Sequence, residues 1–286
     1  MMNKHYEFKK VWPSFLSVFT AVLFVMSLMG MGGYGFADEG NAMGKEISKI
    51  EQIKKAGKIV VGTSADYPPY EFHPLGDKEA DLIGIDIDIA KVIAKELGVK
   101  LEIKDLIFSR IFDALNAGKI DIAIAGLNPS EARQEMAVFS DVYYQAIQSI
   151  VMNKQEAERI KTVEDLRGKR IGVQRDSLQE SLGRSQIHNA EFDVRETIEE
   201  LVIILSKGLV DAIILEEPVA DSYVRMNKNF VSIKCEHFDK LLGSAIAVKK
   251  GNNDLLAEIN RILTSLKEDG RIAEFVENAK VMTNKK

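Results

Sequence analysis

"GKIVVGTS" at residues 57–64 returns as "GKRIGVQRDS" at 168–177: each copy is Gly-Lys, then a short strand-like run, then a polar loop. Downstream of each lies a helical pattern that ends in a turn and a second strand led by aspartate. The first is "RIFDALNAGKIDIAIAG" (110–126), the second "ELVIILSKGLVDAIILEE" (200–217). Strands alternating with helices in this way imply parallel sheet built from βαβ units. The echo therefore predicts two α/β lobes. Asp121 and Asp211 hold equivalent places in it, each after a Gly-x-Ile or Gly-x-Val turn, and read as anchors of that turn.

Within the first unit, "DIDIAKVIAKELGVKLEI" (86–103) predicts an amphipathic helix from Ile85 to Leu97, stopped by Gly98 and followed by a strand. Asp86 and Asp88 fall in its first turn, where carboxylates complement the helix dipole. No histidine or further carboxylate converges on them in sequence, so a metal pair is not favoured. After the second unit the chain adds one more strand and two helices, divided at Asp269-Gly270. Two apolar extended segments, "QSIVMN" (148–153) and "SAIAVK" (244–249), thus flank the second unit. A pair of crossings implies that residues 148–244 form a lobe inserted into one made of 57–147 plus 245–286, with a two-stranded hinge. Ligands of open α/β sheets sit beyond the carboxyl ends of the strands, here the cleft between lobes.

The chain has 286 residues, a formal net charge of −5 and a single cysteine, Cys235, which excludes an internal disulfide. Its start, "MMNKHYEFKK", is basic and precedes the apolar "SFLSVFTAVLFVMSLMGM" and the small residues of "GYGFA". This order predicts a signal peptide over 1–37, cut after Ala37, with 38–56 as a lead-in. An uncleaved anchor is the alternative, because the apolar stretch approaches spanning length. Cleavage is preferred, since polar sequence begins at once with "DEGNAMGKE". Loss of 1–37 removes Lys4, Lys9 and Lys10 against one acid, Glu7, so the remainder is more acidic still. An acidic exported protein is a poor candidate for nucleic acid.

The candidate binding residues follow strand ends. In "GLNPSEAR", Gly126 lets backbone approach a ligand, Asn128-Pro129 precedes a helix start at Ser130, and Arg133 lies in the first helical turn. An arginine there opposes the helix dipole unless an anion joins it. A surface pairing with Glu131 or Asp141 is the plainer alternative. In "RDSLQES", Ser177 with Glu180 three residues on reads as a capping box, and its helix start can also face an anion across the cleft. "SADYPPYEF" sets Tyr67 beside a stiff Pro-Pro turn where it can cover a ligand, whereas Tyr70 and Phe72 read as loop core. Phe108 begins "FSRIFDALNAG", with core packing as its alternative. "ILEEPVADSY" places Glu216 and Glu217 at a strand's carboxyl end, suited to a cation, and side-chain alternation allows only one to point inward. His5, His73, His188 and His237 are scattered, and neither H-E-x-x-H nor G-x-S-x-G occurs. No metal, cofactor or catalytic residue is expected.

Taken together, "KIVVGTSADYPPYEF", "GIDIDIAKVIAKELGVK", "FDALNAGKIDIAIAGLNPSEARQEMAVFSDVYY", "VEDLRGKRIGVQRDSLQE" and "VDAIILEEPVADSYV" resemble the exported solute-binding proteins of polar amino-acid ABC transporters. The match runs from about Gly57 to Lys280. The resemblance implies a bilobed periplasmic-binding-protein, or Venus flytrap, fold. It implies a periplasmic monomer that closes on one amino acid and delivers it to a permease in the inner membrane. Arg133 would hold the ligand α-carboxylate, helped by the backbone at Gly126 and Asn128 and by the Ser177 cap. Tyr67 and Phe108 match the family's aromatic pair around the ligand side chain, and Glu216 its usual aspartate for the α-ammonium. Three departures stand out: Glu216 is one methylene longer, Asp176 occupies a place often glycine, and Asn128 replaces Ser or Thr. Polar or basic ligands are favoured. Two other readings stay open: a cyclohexadienyl dehydratase-like enzyme with Glu216 or Glu217 as general acid, and a sensory binding protein that docks on a receptor.

Overall fold

The computed structural model describes residues 47–74, 79–235, 238 and 242–283; the expected signal peptide lies outside the described residues. Helix α1 (Lys49–Ala56) occupies the lead-in, capped by Ser48 and ended by Gly57 at φ 69°. Then come β1 (Lys58–Thr63), a short hairpin of β2 (Asp66–Tyr67) and β3 (Glu71–Phe72), α2 (Ile85–Leu97), β4 (Lys100–Asp105), α3 (Ile111–Asn116), β5 (Ile122–Ala123), α4 (Glu131–Met136) and β6 (Val138–Phe139). The second unit runs β7 (Gln148–Asn153), β8 (Arg170–Gln174), α5 (Leu178–Gln186), β9 (Glu191–Arg195), α6 (Ile198–Ser206), β10 (Ala212–Glu216), α7 (Glu217–Met226) and β11 (Phe230–Cys235). Strand β12 (Ala247–Val248) and helices α8 (Asn253–Glu268) and α9 (Arg271–Thr283) follow.

Two five-stranded sheets result, ordered β4-β1-β5-β12-β6 and β11-β7-β10-β8-β9, in a bilobed α/β fold. The parallel βαβ pairs expected from the echo are present: β1 lies parallel to β4 and β5, and β8 parallel to β9 and β10. One strand of each sheet runs the other way, β12 against β5 and β6, β7 against β10 and β11. These are the two apolar crossing segments. They do not pair with each other, because each is buried within a different sheet. The crossings meet instead at an antiparallel bridge between Tyr144 and Ser244, where Ser244 N donates to Tyr144 O at 2.7 Å.

Continuous apolar runs form these strands because both sheet faces are covered. On β10, Ile213 and Leu215 join the core of α6 and α7, while Ala212 and Ile214 face that of α5. The paired aspartates act alike in both halves. Asp121 Oδ2 accepts Val60 N at 2.7 Å while its own N donates to Val60 O, and Asp211 Oδ2 accepts Arg170 N at 2.8 Å with its N on Arg170 O. Each closes the start of two neighbouring strands with a reciprocal pair. Lys49 adds an ion pair to Asp121 at 2.5 Å. Asp121→Ala should therefore cost about 1–2 kcal/mol in urea unfolding, the scale of a lost backbone acceptor, without altering ligand affinity. A loss near zero would show that water replaces the carboxylate.

Candidate functional site

The carboxyl ends of β1, β5, β8 and β10 converge on a small cavity. Tyr67, Phe108, Gly126, Asn128 and Arg133 line it from the first half of the chain, and Gln174, Leu178 and Gln179 from the second. Asp66 and Glu71, on opposite strands of the β2–β3 hairpin, complete the acidic part of its wall. Hydrogen bonds tie the two halves together around it. Tyr70 Oη donates to Glu216 Oε2 at 2.7 Å, Ile198 N to Asp66 Oδ2 at 2.6 Å, Tyr223 Oη to Asp66 O at 2.8 Å, and Ser109 Oγ to Glu196 Oε2 at 2.9 Å.

Arg133 is 6% exposed, so the surface alternative is wrong. Its helix, α4, is only six residues long, and the guanidinium turns inward. Nη1 donates to Asn128 O and Nη2 to Asp176 O, both at 3.1 Å. The guanidinium carbon lies 5.3 Å from the centroid of Phe108 and 5.9 Å from that of Phe112. No carboxylate forms an ion pair with it among the described residues. Burial lowers its pKa to about 10, against the opposing pull of Glu216. A buried cation held by two neutral carbonyls is poised for an anion.

Asp176 sits at φ 58°, a left-handed conformation that a non-glycine residue adopts at some cost. The turn directs its carbonyl at Arg133, and its N–H is held by Glu180 Oε2 at 2.9 Å. Glu180 thus reaches Asp176 rather than the Ser177 N–H that a capping box requires. Ser177 Oγ accepts Glu180 N at 3.0 Å as an ordinary cap of α5, and Ser177 is not among the cavity-lining residues although Leu178 and Gln179 are.

Gly126 lines the cavity with φ 54°, and a Cβ there would stand 3.1 Å from the Tyr67 ring. Its N–H, expected to serve a ligand, is committed to Asp86 Oδ2 at 2.8 Å. Asp86 is fully buried and also accepts Tyr143 Oη at 2.7 Å. It is therefore an internal post for the loop that carries Gly126, more than a partner for the dipole of α2. Tyr67 stacks on Tyr70 at 5.5 Å. Phe108 opens a 3-10 turn rather than α3 itself. Tyr70, expected as loop core, is also a hydrogen-bond donor across the cleft.

Glu216 is 2% exposed, and its carboxyl is taken by Tyr70 and by Asn128 Nδ2, the latter at 3.2 Å, so it stands behind the cavity wall rather than on it. Burial raises its pKa to about 7, while the hydrogen bonds from Tyr70 and Asn128 act to lower it. Glu217 points away and pairs with Lys234. The sequence reading missed Asp66 and Glu71. Asp86 carried a usable signal, because with Ala90, Ile93 and Leu97 it falls on the buried face of α2 at spacings of four, three and four.

Residues 59–279 match the family model of the bacterial extracellular solute-binding proteins, family 3. The arginine-binding extracellular protein ArtP of Bacillus subtilis is 35% identical over 242 residues, 82% of this chain and 89% of its own length. A solved structure of the amino acid ABC transporter substrate-binding protein AbpA from Streptococcus pneumoniae, bound to L-arginine, superposes with a TM-score of 0.79 at 31% identity, over 82% of this chain and all of the other. The ancestral amino acid-binding protein AncCDT-1, a precursor of cyclohexadienyl dehydratase, gives a TM-score of 0.74 at 33% identity, over 81% and 99%. The chain belongs to the bacterial extracellular solute-binding proteins, family 3.

Proposed function

We propose that the chain captures a cationic L-amino acid, arginine foremost, and passes it to an ABC transporter permease without chemical change. One observation carries this reading: the cavity holds a buried arginine without a carboxylate partner among the described residues, and two carboxyl groups, Asp66 and Glu71, on the hairpin wall. The ligand α-carboxylate pairs with Arg133, Tyr67 and Phe108 flank the aliphatic stem, and the acidic wall favours a positive side chain. Glu216 supplies negative charge behind Asn128 for the α-ammonium, and Ser177 acts by fixing the α5 start. Export by cleavage after Ala37 belongs to the same reading, as does a division into lobes at 147/148 and 244/245. So does action as a monomer.

The relationship to AncCDT-1 keeps an enzymatic alternative in view, with Glu216 as a desolvated acid. Its carboxyl is directed at Tyr70 and Asn128 rather than at the cavity, which favours binding. A thermal-shift panel of the twenty amino acids on refolded, ligand-stripped protein tests the proposal. Arginine at a hundred times its dissociation constant should stabilise the chain by about 2.7 kcal/mol, a clear rise in Tm. No response to any basic amino acid would overturn the ligand class. Aromatic product from prephenate or arogenate would overturn the absence of chemistry.

A further inference from the structure

Asp66, on β2, is gripped at two atoms from the other half of the chain. Its Oδ2 accepts Ile198 N, at the start of α6, at 2.6 Å, and its carbonyl accepts Tyr223 Oη, from α7, at 2.8 Å. Helix α6 serves its own start only in part. Thr197 Oγ1 accepts Glu200 N, while Glu200 Oε2 accepts Glu196 N and Thr197 N. This reciprocal box leaves the first helical N–H, that of Ile198, to an acceptor from outside. Asp66 supplies it, and its negative charge meets the positive end of the α6 dipole. Burial raises its pKa to about 6, with the Ile198 N–H opposing the rise and Glu199 of α6 and Asp105 of β4 adding to it. Neither Ile198 nor Tyr223 lines the cavity, so the grip lies outside the ligand's contacts. Asp66 also borders a second pocket of about 270 Å³, which Thr197 and the exposed Ile107 line with it. The residue is thus the partition between the inner cavity and this outer pocket.

We propose that Asp66 is a positioning residue that latches the closed cleft: by capping α6 from the opposite half, it sets how long a ligand stays. This goes beyond the amino-acid reading above and rests on it only for its probe. Opening has to strip the carboxylate from the helix start and Tyr223 from the carbonyl before the partition between the two pockets can part. Those costs fall on release and leave entry into the open cleft unchanged. The same grip fixes the backbone of β2, and with it Tyr67, the next residue, over the cavity. Tyr223 takes part without touching the cavity, which separates a latch from a charge contact with the ligand.

The test is the rate at which isotopically labelled L-arginine leaves the full chain when chased with unlabelled arginine at pH 8, where the Asp66 carboxyl is ionised. Asp66→Ala should speed release about tenfold and leave the association rate unchanged. Asp66→Asn keeps an acceptor for Ile198 N and should fall between. Tyr223→Phe, which changes no cavity residue, should speed release about threefold. Amide exchange gives a second readout. The first N–H of a helix ordinarily exchanges freely, but that of Ile198 should be protected in the arginine-bound wild type and lose its protection in Asp66→Ala. Equal acceleration in Asp66→Ala and Asp66→Asn, with none in Tyr223→Phe, would make Asp66 a charge contact of the ligand and overturn the latch. So would an Ile198 amide that exchanges freely in the arginine-bound wild type, a measurement that needs no variant to fold. Failure of the wild-type chain to bind arginine would count against the amino-acid reading instead. The latch is then judged on the chain alone, where Ile198 protection that Asp66→Ala removes supports it and free exchange overturns it.

Discussion

Arg133→Ala should weaken arginine binding by about a hundredfold or more, while the ligand-free chain unfolds close to the wild-type temperature. The expectation comes from the imbalance around the guanidinium. It is 6% exposed, lies near the rings of Phe108 and Phe112, and among the described residues its hydrogen-bond acceptors are the carbonyls of Asn128 and Asp176 alone. Burial lowers its pKa to about 10, well below the ordinary guanidinium value, so holding the charge in the folded chain costs a few kcal/mol. A base with a depressed folded pKa is a stability liability below that pKa, relieved as pH rises from about 10 toward the unfolded value. Removing the side chain ends this liability and leaves a void and two carbonyls, effects of opposite sign and similar size. Binding has no such offset. A ligand carboxylate that loses a buried charge-assisted partner forfeits about 2–5 kcal/mol. Arg133→Lys should fall between, keeping charge but not the planar fork. Calorimetry gives the affinity and a thermal melt the stability. A variant that melts far lower and binds proportionately less would reduce Arg133 to a packing residue.

The halves of the fold were legible because each repeats a local grammar. Gly-Lys opens a strand, and an aspartate after a glycine turn clamps the next one through its backbone partners Val60 and Arg170. Such signals need only a few neighbouring residues. The hinge was partly legible: the apolar runs marked the crossing strands, but the same apolarity drove them into separate sheets, and the pairing fell to Tyr144 and Ser244. The site was legible in residue type and not in burial. Arg133 looked awkward on a helix start, yet what decides its chemistry is the enclosure made by Phe108, Phe112 and Asp176, distant in sequence. Glu71 and Asp66 were passed over because a polar residue next to a Pro-Pro turn ordinarily faces water. Their hairpin is instead folded into the cleft, where Ile198 N and Tyr223 Oη of the other half reach Asp66.

Glu216→Gln should flatten the pH dependence of the ligand-free chain's stability above pH 5. The wild-type carboxyl has an ordinary value of 4.5 and rises to about 7 in the fold, with burial as the leading cause. For an acid shifted upward the sign is fixed. Its contribution is fully present below 4.5 and is lost as pH climbs through about 7, because the folded state must then either keep a proton that water would take or bury an anion. The shift corresponds to roughly 3 kcal/mol lost between those limits. Asp66, Glu71 and Asp86 bend the curve the same way, so the difference between wild type and variant, not the wild-type slope alone, isolates Glu216. Glutamine stays neutral, and its carbonyl still accepts from one of Tyr70 and Asn128. The variant should accordingly match the wild type near pH 5 and exceed it near pH 8 in urea unfolding. Ligand inverts the preference: an α-ammonium beside Asn128 favours the ionised form, so saturating arginine should stabilise the wild type more at pH 8 than at pH 5. Parallel curves for the two proteins without ligand would place the titration elsewhere among the cleft carboxyls. A glutamine variant that binds arginine at full strength would separate Glu216 from the ammonium and leave it as a hydrogen-bonded strut between Tyr70 and Asn128.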